Sequence, residues 1–292
     1  MKICFIVPYY YKWNNFSNVR STYETLQSLG HEVDLFRRME RYKIKYNTYD
    51  QIWLMGSGAW MTKNRFAKMK VPVISFGWSD PNLYLEDHMK NCNLYCTNDL
   101  RTYRKIARQK LAYYHQTACD KRYHKNLNLE RTTEILVYGV GRHPFVPNRN
   151  EVVNKLRKVG FKIKVFGRKW DRHPDTYKFI EGQKFLEEIN KAKILLDLTN
   201  RKTALGHRIF EGCGCGTPVM TMYREDTSLL FTDKSEIIMY NNFNELLSLL
   251  KYYLNRPNLL TIIGKNAQNR CYNDHDIINR IVTLLKYLKK LS

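Results

Sequence analysis

Residues 190–221 read NKAKILLDLTNRKTALGHRIFEGCGCGTPVMT, in the order strand, loop, helix and strand. Positions 194–198 are almost continuously apolar, the pattern of a strand covered on both faces in a parallel sheet. A polar loop follows, then a helix opening near Gly206, then a small-residue turn into a second strand at 218–222. A loop that leaves such a strand and enters a helix presents backbone amides without intrahelical partners, and phosphate binds there. Arg208 and Glu211 lie three residues apart, so both project from one face of the first turn. The cation suits a diphosphate and the carboxylate a pair of sugar hydroxyls. An exposed Arg–Glu pair on an ordinary helix is the alternative.

Outward from this stretch the chain alternates strands and helices. Strands are expected at 2–7, 32–36, 51–55 and 71–76, with helices at 18–29, 60–68 and 98–111. A second series runs as strand 134–138, helix 151–159, strand 162–166, helix 183–191, strand 194–198, helix 207–212 and strand 218–222. Repeated βα units call for parallel sheets with right-handed crossovers. The polar segment 115–131 has little periodicity and reads as a linker. The expected domains are 1–128, 129–275 and a terminal helix at 276–292 whose apolar face (Ile277, Ile278, Ile281, Leu284, Leu285, Leu288) packs back on the first domain.

Several motifs in this order resemble one family. His207-Arg208-Ile209-Phe210-Glu211 and Gly212-Cys213-Gly214-Cys215-Gly216-Thr217-Pro218-Val219 look like the R-x-F-E and C-G-x-P-V signature of group 1 glycosyltransferases, closest to the spore-maturation (CgeB-like) type. Phe231, Glu236-Ile237 and Tyr240 match its F-x-x-x-x-E-I-x-x-Y stretch. Leu246–Leu254 and Asn273-Asp274-His275-Asp276 with Arg280 match its closing helices, and Val165–Trp170 its G-x-x-W turn. The resemblance spans residues 130–282 and is weak before them. It implies a GT-B fold: α/β, with two Rossmann-like domains whose parallel sheets face across a cleft, the C-terminal one holding the nucleotide-sugar. Arg208 would then bind the donor diphosphate and Glu211 the ribose hydroxyls. Many group 1 enzymes carry another glutamate eight residues before the first; here that position is Thr203, which leaves the orientation of the transferred sugar in question.

Further donor candidates sit where strands end. Gly139, Gly141 and Arg142 follow one strand, and Gly167, Arg168 and Lys169 with Trp170 follow another, joined by Gly206 and His207 at the helix opening. Glycines there let backbone approach phosphate or sugar; a plain turn and a solvated basic loop are the competing readings. Asp80, before Pro81, is the candidate catalytic base for an acceptor hydroxyl, with Asp87 and His88 behind it; a helix cap explains Asp80 equally well.

The net charge of +22 comes from 49 Lys/Arg against 27 Asp/Glu, shared about equally between residues 1–128 and the remainder. Such a field attracts polyanions; a lysine-rich coding bias is the bland alternative. Arg101, Arg104, Lys105 and Arg108 fall on one helix face as a basic stripe. Lys110, Lys121, Arg122 and Lys125 extend it past Tyr113, Tyr114 and Tyr123, rings able to stack on bases. An ordinary solvated face competes with this reading too.

Composition narrows the classes. Hydrophobic content of 43% is globular, and no apolar run reaches membrane-spanning length. The opening MKICFIVPYY reads as a first strand, not a signal peptide. Seven cysteines without zinc-finger spacing read as free buried thiols in a reducing cytoplasm. The expected activity is transfer of a sugar, UDP-hexose first, to an acceptor hydroxyl, with no cofactor and no metal because helix amides and Arg/Lys meet the leaving diphosphate. The resemblance implies retention of configuration. The favoured acceptor is a hydroxymethylated base in DNA, as in bacteriophage genome modification. A cell-surface polymer or protein is the alternative acceptor, and a catalytically silent nucleic-acid-binding scaffold the alternative class.

Overall fold

A computed structural model describes residues 1–7, 17–56, 69–77, 89, 91–109, 111–142, 148–198 and 205–291. The chain divides into two units, Met1–Thr117 with Ile277–Ser292, and Ala118–Asp276. The expected helix at 60–68 lies outside the described residues.

The first unit is a six-stranded sheet in the order β2-β1-β3-β4-β5-β6, every described pairing parallel. Its strands are β1 (Lys2–Val7), β2 (Glu32–Arg37), β3 (Gln51–Met55), β4 (Val73–Gly77), β5 (Leu94–Thr97) and β6 (Ala112–Tyr114). The central strands are buried along almost their whole length, as a sheet covered on both faces requires. Helix α1 (Asn18–Ser28) is capped by Ser17, whose hydroxyl accepts from the Arg20 amide.

Residues 98–111 do not form one helix. Asp99 caps α2 (Leu100–Ile106), accepting from the Thr102 amide, and the chain then leaves the helix to pair β6 beside β5. Tertiary pairing of Cys96 with Tyr113 overrides the helical pattern there. The final helix, α9 (Ile277–Lys289), belongs to the first unit, where it buries Ile277, Ile281, Leu284 and Leu285, and Tyr287 sets its ring 4.8 Å from that of Tyr113.

The boundary falls at 117/118 and not at 128/129, because residues 118–131 of the segment read as a linker are part of the second unit. Cys119 N–H donates to the His275 carbonyl, Tyr272 Oη donates to the His124 carbonyl, and Asn190 clasps both the Leu127 amide and the Lys125 carbonyl. Ala118, Cys119, Asp120 and His124 are buried. A polar composition concealed this because these contacts are made largely by main chain.

The second unit holds β7 (Thr133–Val140), β8 (Ile163–Arg168), β9 (Thr176–Tyr177), β10 (Ala192–Asp197), β11 (Val219–Met222) and β12 (Ile238–Tyr240) in the order β12-β11-β10-β7-β8-β9, all parallel. Around it lie α3 (Arg149–Lys158), α4 (Gly182–Asn190), α5 (His207–Gly214), α6 (Glu225–Leu230), α7 (Phe243–Leu254) and α8 (Pro257–Asp274). Counted within the unit, the order is 3-2-1-4-5-6, so successive connections run in opposite directions from a switch point between β7 and β10. Ligands bind outside the carboxyl ends of the strands at such a point. The small residues after Glu211 let α5 lie against this sheet: a Cβ on Gly212 would stand 2.5 Å from Leu195 Cδ2 and 2.6 Å from Val219 Cγ2.

Candidate functional site

The carboxyl ends of β7 and β8 and the start of α5 carry the expected donor residues. Gly139 and Gly167 are register partners at the ends of β7 and β8, both with positive φ (+124° and +144°). A Cβ on Gly167 would lie 1.7 Å from the Gly139 carbonyl oxygen, so the two backbones meet only because Gly167 has no side chain. The Trp170 indole N–H donates to the Gly139 carbonyl at 3.0 Å and ties the two strand ends together. A Cβ on Gly141 would be 2.6 Å from the Lys169 carbonyl and 2.7 Å from Trp170 Cδ2.

The cations separate into two groups. Arg208, in the first turn of α5, is mostly buried and donates from Nε to Asp197 Oδ1 at 2.8 Å. Its guanidinium lies 5.8 Å from the Tyr138 ring, and its Nη1 would be 3.2 Å from a Cβ on Gly139. Burial opposes its charge, but Asp197, Tyr138 and Glu211 outweigh burial and hold Arg208 more firmly protonated than usual. Arg142, Arg168 and Lys169 are exposed. Arg142 pairs with Asp171, and Arg168 sits over the Phe179 ring at 6.0 Å. Lys169 adopts φ +59° and gives its carbonyl to Asn150 Nδ2. Gly206 is the N-cap of α5, and His207 its exposed first residue.

Glu211 is buried beneath this turn and receives the Tyr138 hydroxyl on Oε2. Burial lifts its carboxyl to about 7, opposed by the Tyr138 hydrogen bond and by Arg208, with Asp197 pushing the same way as burial. Arg208 and Glu211 are therefore not a solvated surface pair. Each is held by a partner from the sheet, Asp197 from β10 and Tyr138 from β7.

The stripe in the first unit is divided differently from the expectation. Arg101, Arg104 and Lys105 are exposed on α2, whereas Arg108 lies in the turn after it. Of the expected extension, Lys121 and Arg122 belong to the second unit and are paired. Arg122 meets Asp120 through Nε at 2.9 Å and Nη2 at 2.7 Å, and Lys121 Nζ is 3.4 Å from Asp276. Tyr113 packs on Tyr287, and Tyr114 lies 5.9 Å from Tyr103. Asp80, Asp87, His88, Lys110 and Thr203 lie outside the described residues.

Residues 148–286 match the model of a family described as glycosyl transferase-like. The whole chain superposes on a sucrose-phosphate synthase from Thermosynechococcus elongatus with a TM-score of 0.73, 12% identity and 100% of each chain covered. The fold is GT-B. An Anabaena protein solved with UDP and glucose aligns with a TM-score of 0.71 at 10% identity, over 99% of this chain and 100% of that one. An alpha-glucosyltransferase solved with UDP and a 13-mer DNA containing an HMU base aligns with a TM-score of 0.71 at 13% identity, over 98% of each chain. No curated protein matches the chain at the level of sequence.

Within this GT-B chain, four residues of the site escaped the sequence reading: Tyr138, Arg149, Asp197 and Arg224. Arg149 opens α3 and donates from Nε to the Leu198 carbonyl at 2.8 Å and from Nη1 to the Val140 carbonyl at 2.9 Å, tying the ends of β10 and β7 across the switch point. Asp197 offered one local signal, a carboxylate closing an apolar strand, where an ion must find partners or be expelled.

Proposed function

We propose that the protein transfers a sugar from a nucleotide-sugar, UDP-hexose first, and that the donor binds at the carboxyl ends of β7 and β10. The observation that carries this is Arg208 and Glu211 meeting at the switch point beside the paired glycines Gly139 and Gly167. In this reading Arg208 and the first turn of α5 meet the donor diphosphate, Glu211 accepts from the ribose hydroxyls, and Gly139 lets the donor approach backbone. The same groups stabilise the leaving diphosphate, so the reaction needs no metal or cofactor and turnover persists in a chelator. Retention of configuration and a place near the spore-maturation type are inferred from the motifs. Seven buried free thiols suit a reducing cytoplasm.

For the acceptor we favour DNA carrying a hydroxymethylated base. Support comes from the net charge of +22, from the exposed cations of α2, and from the shared fold with a glucosyltransferase solved on such DNA. A base within duplex DNA would have to leave the stack to be modified. Asp80 remains the proposed base for the acceptor hydroxyl.

The test is hydrolysis of UDP-, GDP-, ADP- and TDP-sugars with and without hydroxymethylated duplex DNA. Turnover of one donor that rises only with the modified DNA is expected. Turnover indifferent to DNA would move the acceptor to a cell-surface polymer or protein. Salt-sensitive DNA binding without any turnover would leave a silent scaffold.

A further inference from the structure

We infer that Asp197 is a positioning residue that sets Arg208 for the donor diphosphate; this rests on the donor site proposed above. Asp197 ends β10 with no solvent exposure, and an ion so placed is tolerated only when its oxygens are satisfied. Its two oxygens are divided between two tasks. Oδ1 accepts from Arg208 Nε at 2.8 Å, while Oδ2 accepts from Thr221 Oγ1 and from Arg224 Nη2, each at 3.1 Å. Arg224 Nη2 also donates to Thr221 Oγ1 at 2.5 Å. Thr221 is the register partner of Asp197 on β11, so one side of the carboxylate is anchored in the sheet itself. The other side grips Arg208.

Gripping Arg208 by Nε has a directional consequence. A guanidinium is planar, so fixing the Nε–H direction together with the Cδ stem fixes the plane and the positions of both Nη groups. Nη1 is thereby placed beside Gly139 at the end of β7, and the Tyr138 ring lies near the guanidinium at 5.8 Å. Without the carboxylate, a flexible arginine would lose rotamer freedom each time it met the diphosphate, and affinity would fall by that amount. Asp197 itself acts through Arg208 and is assigned no contact with the donor.

The test is a double-mutant cycle read by calorimetric binding of UDP, using Asp197→Asn, Arg208→Ala and the double variant, with thermal unfolding to confirm folding. Asp197→Asn is expected to weaken UDP about tenfold in the wild-type background and by less than about twofold when Arg208 is already alanine. A purely structural aspartate would lower affinity equally in both backgrounds, and that result would overturn the inference. So would wild-type UDP affinity in folded Asp197→Asn. If that variant does not fold, Thr221→Val serves in its place, since it removes one anchor of Oδ2 and leaves the charge. A loss of about twofold to threefold that vanishes in the Arg208→Ala background is expected there, and unchanged affinity counts against the idea. Failure of wild-type protein to bind UDP or any other nucleoside diphosphate would instead sink the donor site, and the role of Asp197 with it.

Discussion

The hydroxyl of Tyr138 on β7 donates to Glu211 Oε2 on α5, joining a sheet residue to the carboxylate that the sequence motif placed on a helix face. That bond and the burial around it make Glu211 sensitive to pH near neutrality. Burial raises its carboxyl from 4.5 to about 7, so the folded protein holds a proton that the unfolded chain releases. The associated stability is fully present below 4.5 and is lost as pH rises through about 7. Unfolding free energy in denaturant is expected to decline over this window by no more than about 3 kcal/mol from this group. Glu211→Gln should flatten that component, and an unchanged pH profile would contradict the assignment.

Tyr138→Phe removes a bond that favours the charged carboxylate, so Glu211 should titrate at higher pH still. If the carboxylate receives the ribose hydroxyls, the midpoint of UDP affinity against pH shifts upward in this variant. Calorimetry across about pH 6 to 9 reads the shift, and a coincident profile would separate Glu211 from donor binding.

Gly167→Ala places a Cβ 1.7 Å from a backbone oxygen at a φ of +144°. No flexible side chain can move aside, so the strand ends must part. A stability loss of about 3 kcal/mol or more is expected, with UDP binding lost in any folded fraction. Chemical denaturation checks the first part and thermal shift with UDP the second.

Arg149→Met retains the aliphatic stem but frees the Val140 and Leu198 carbonyls that the guanidinium joins. The expected loss is about 1–3 kcal/mol, measured by denaturant unfolding, because part-buried acceptors lose charge-assisted bonds. UDP affinity should fall as well, since the two carbonyls lie at the switch point.

The double variant Arg101→Ala/Lys105→Ala tests the exposed cations of α2. If both meet phosphates, the slope of log affinity against log salt becomes shallower by about 2 on duplex DNA. UDP binding, proposed for the second unit, should not change. An identical salt slope would remove α2 from the acceptor surface.

Most of the sheet architecture was legible because it is written in local periodicity. Apolar runs such as 3–7 and 194–196 are buried strands, and the turn around Gly206 opens the helix carrying Arg208 and Glu211. What was missed is short or conditional, including the buried strands β5 and β12 of four and three residues. The edge strands β6 and β9 have three and two residues, too few for a period, and exist only because β5 and β8 offer partners. The clasp of residues 118–128 on the rest of the second unit is made largely through their main chain, which no side-chain periodicity announces.

The sequence by itself determined that this is a two-sheet α/β chain with a strand–loop–helix site holding Arg208 and Glu211, because alternation, helical spacing and turn residues are properties of neighbours in the chain. Only the tertiary structure decided which charges work together. Arg208 answers to Asp197, Glu211 to Tyr138, and Arg149 to two carbonyls on different strands, whereas Arg122 is taken up by Asp120. Those pairings follow from strand order and register, which bring residues far apart in sequence to the carboxyl ends of adjacent strands. Burial there removes the competing water, so partners that no local pattern could name set both charge and orientation.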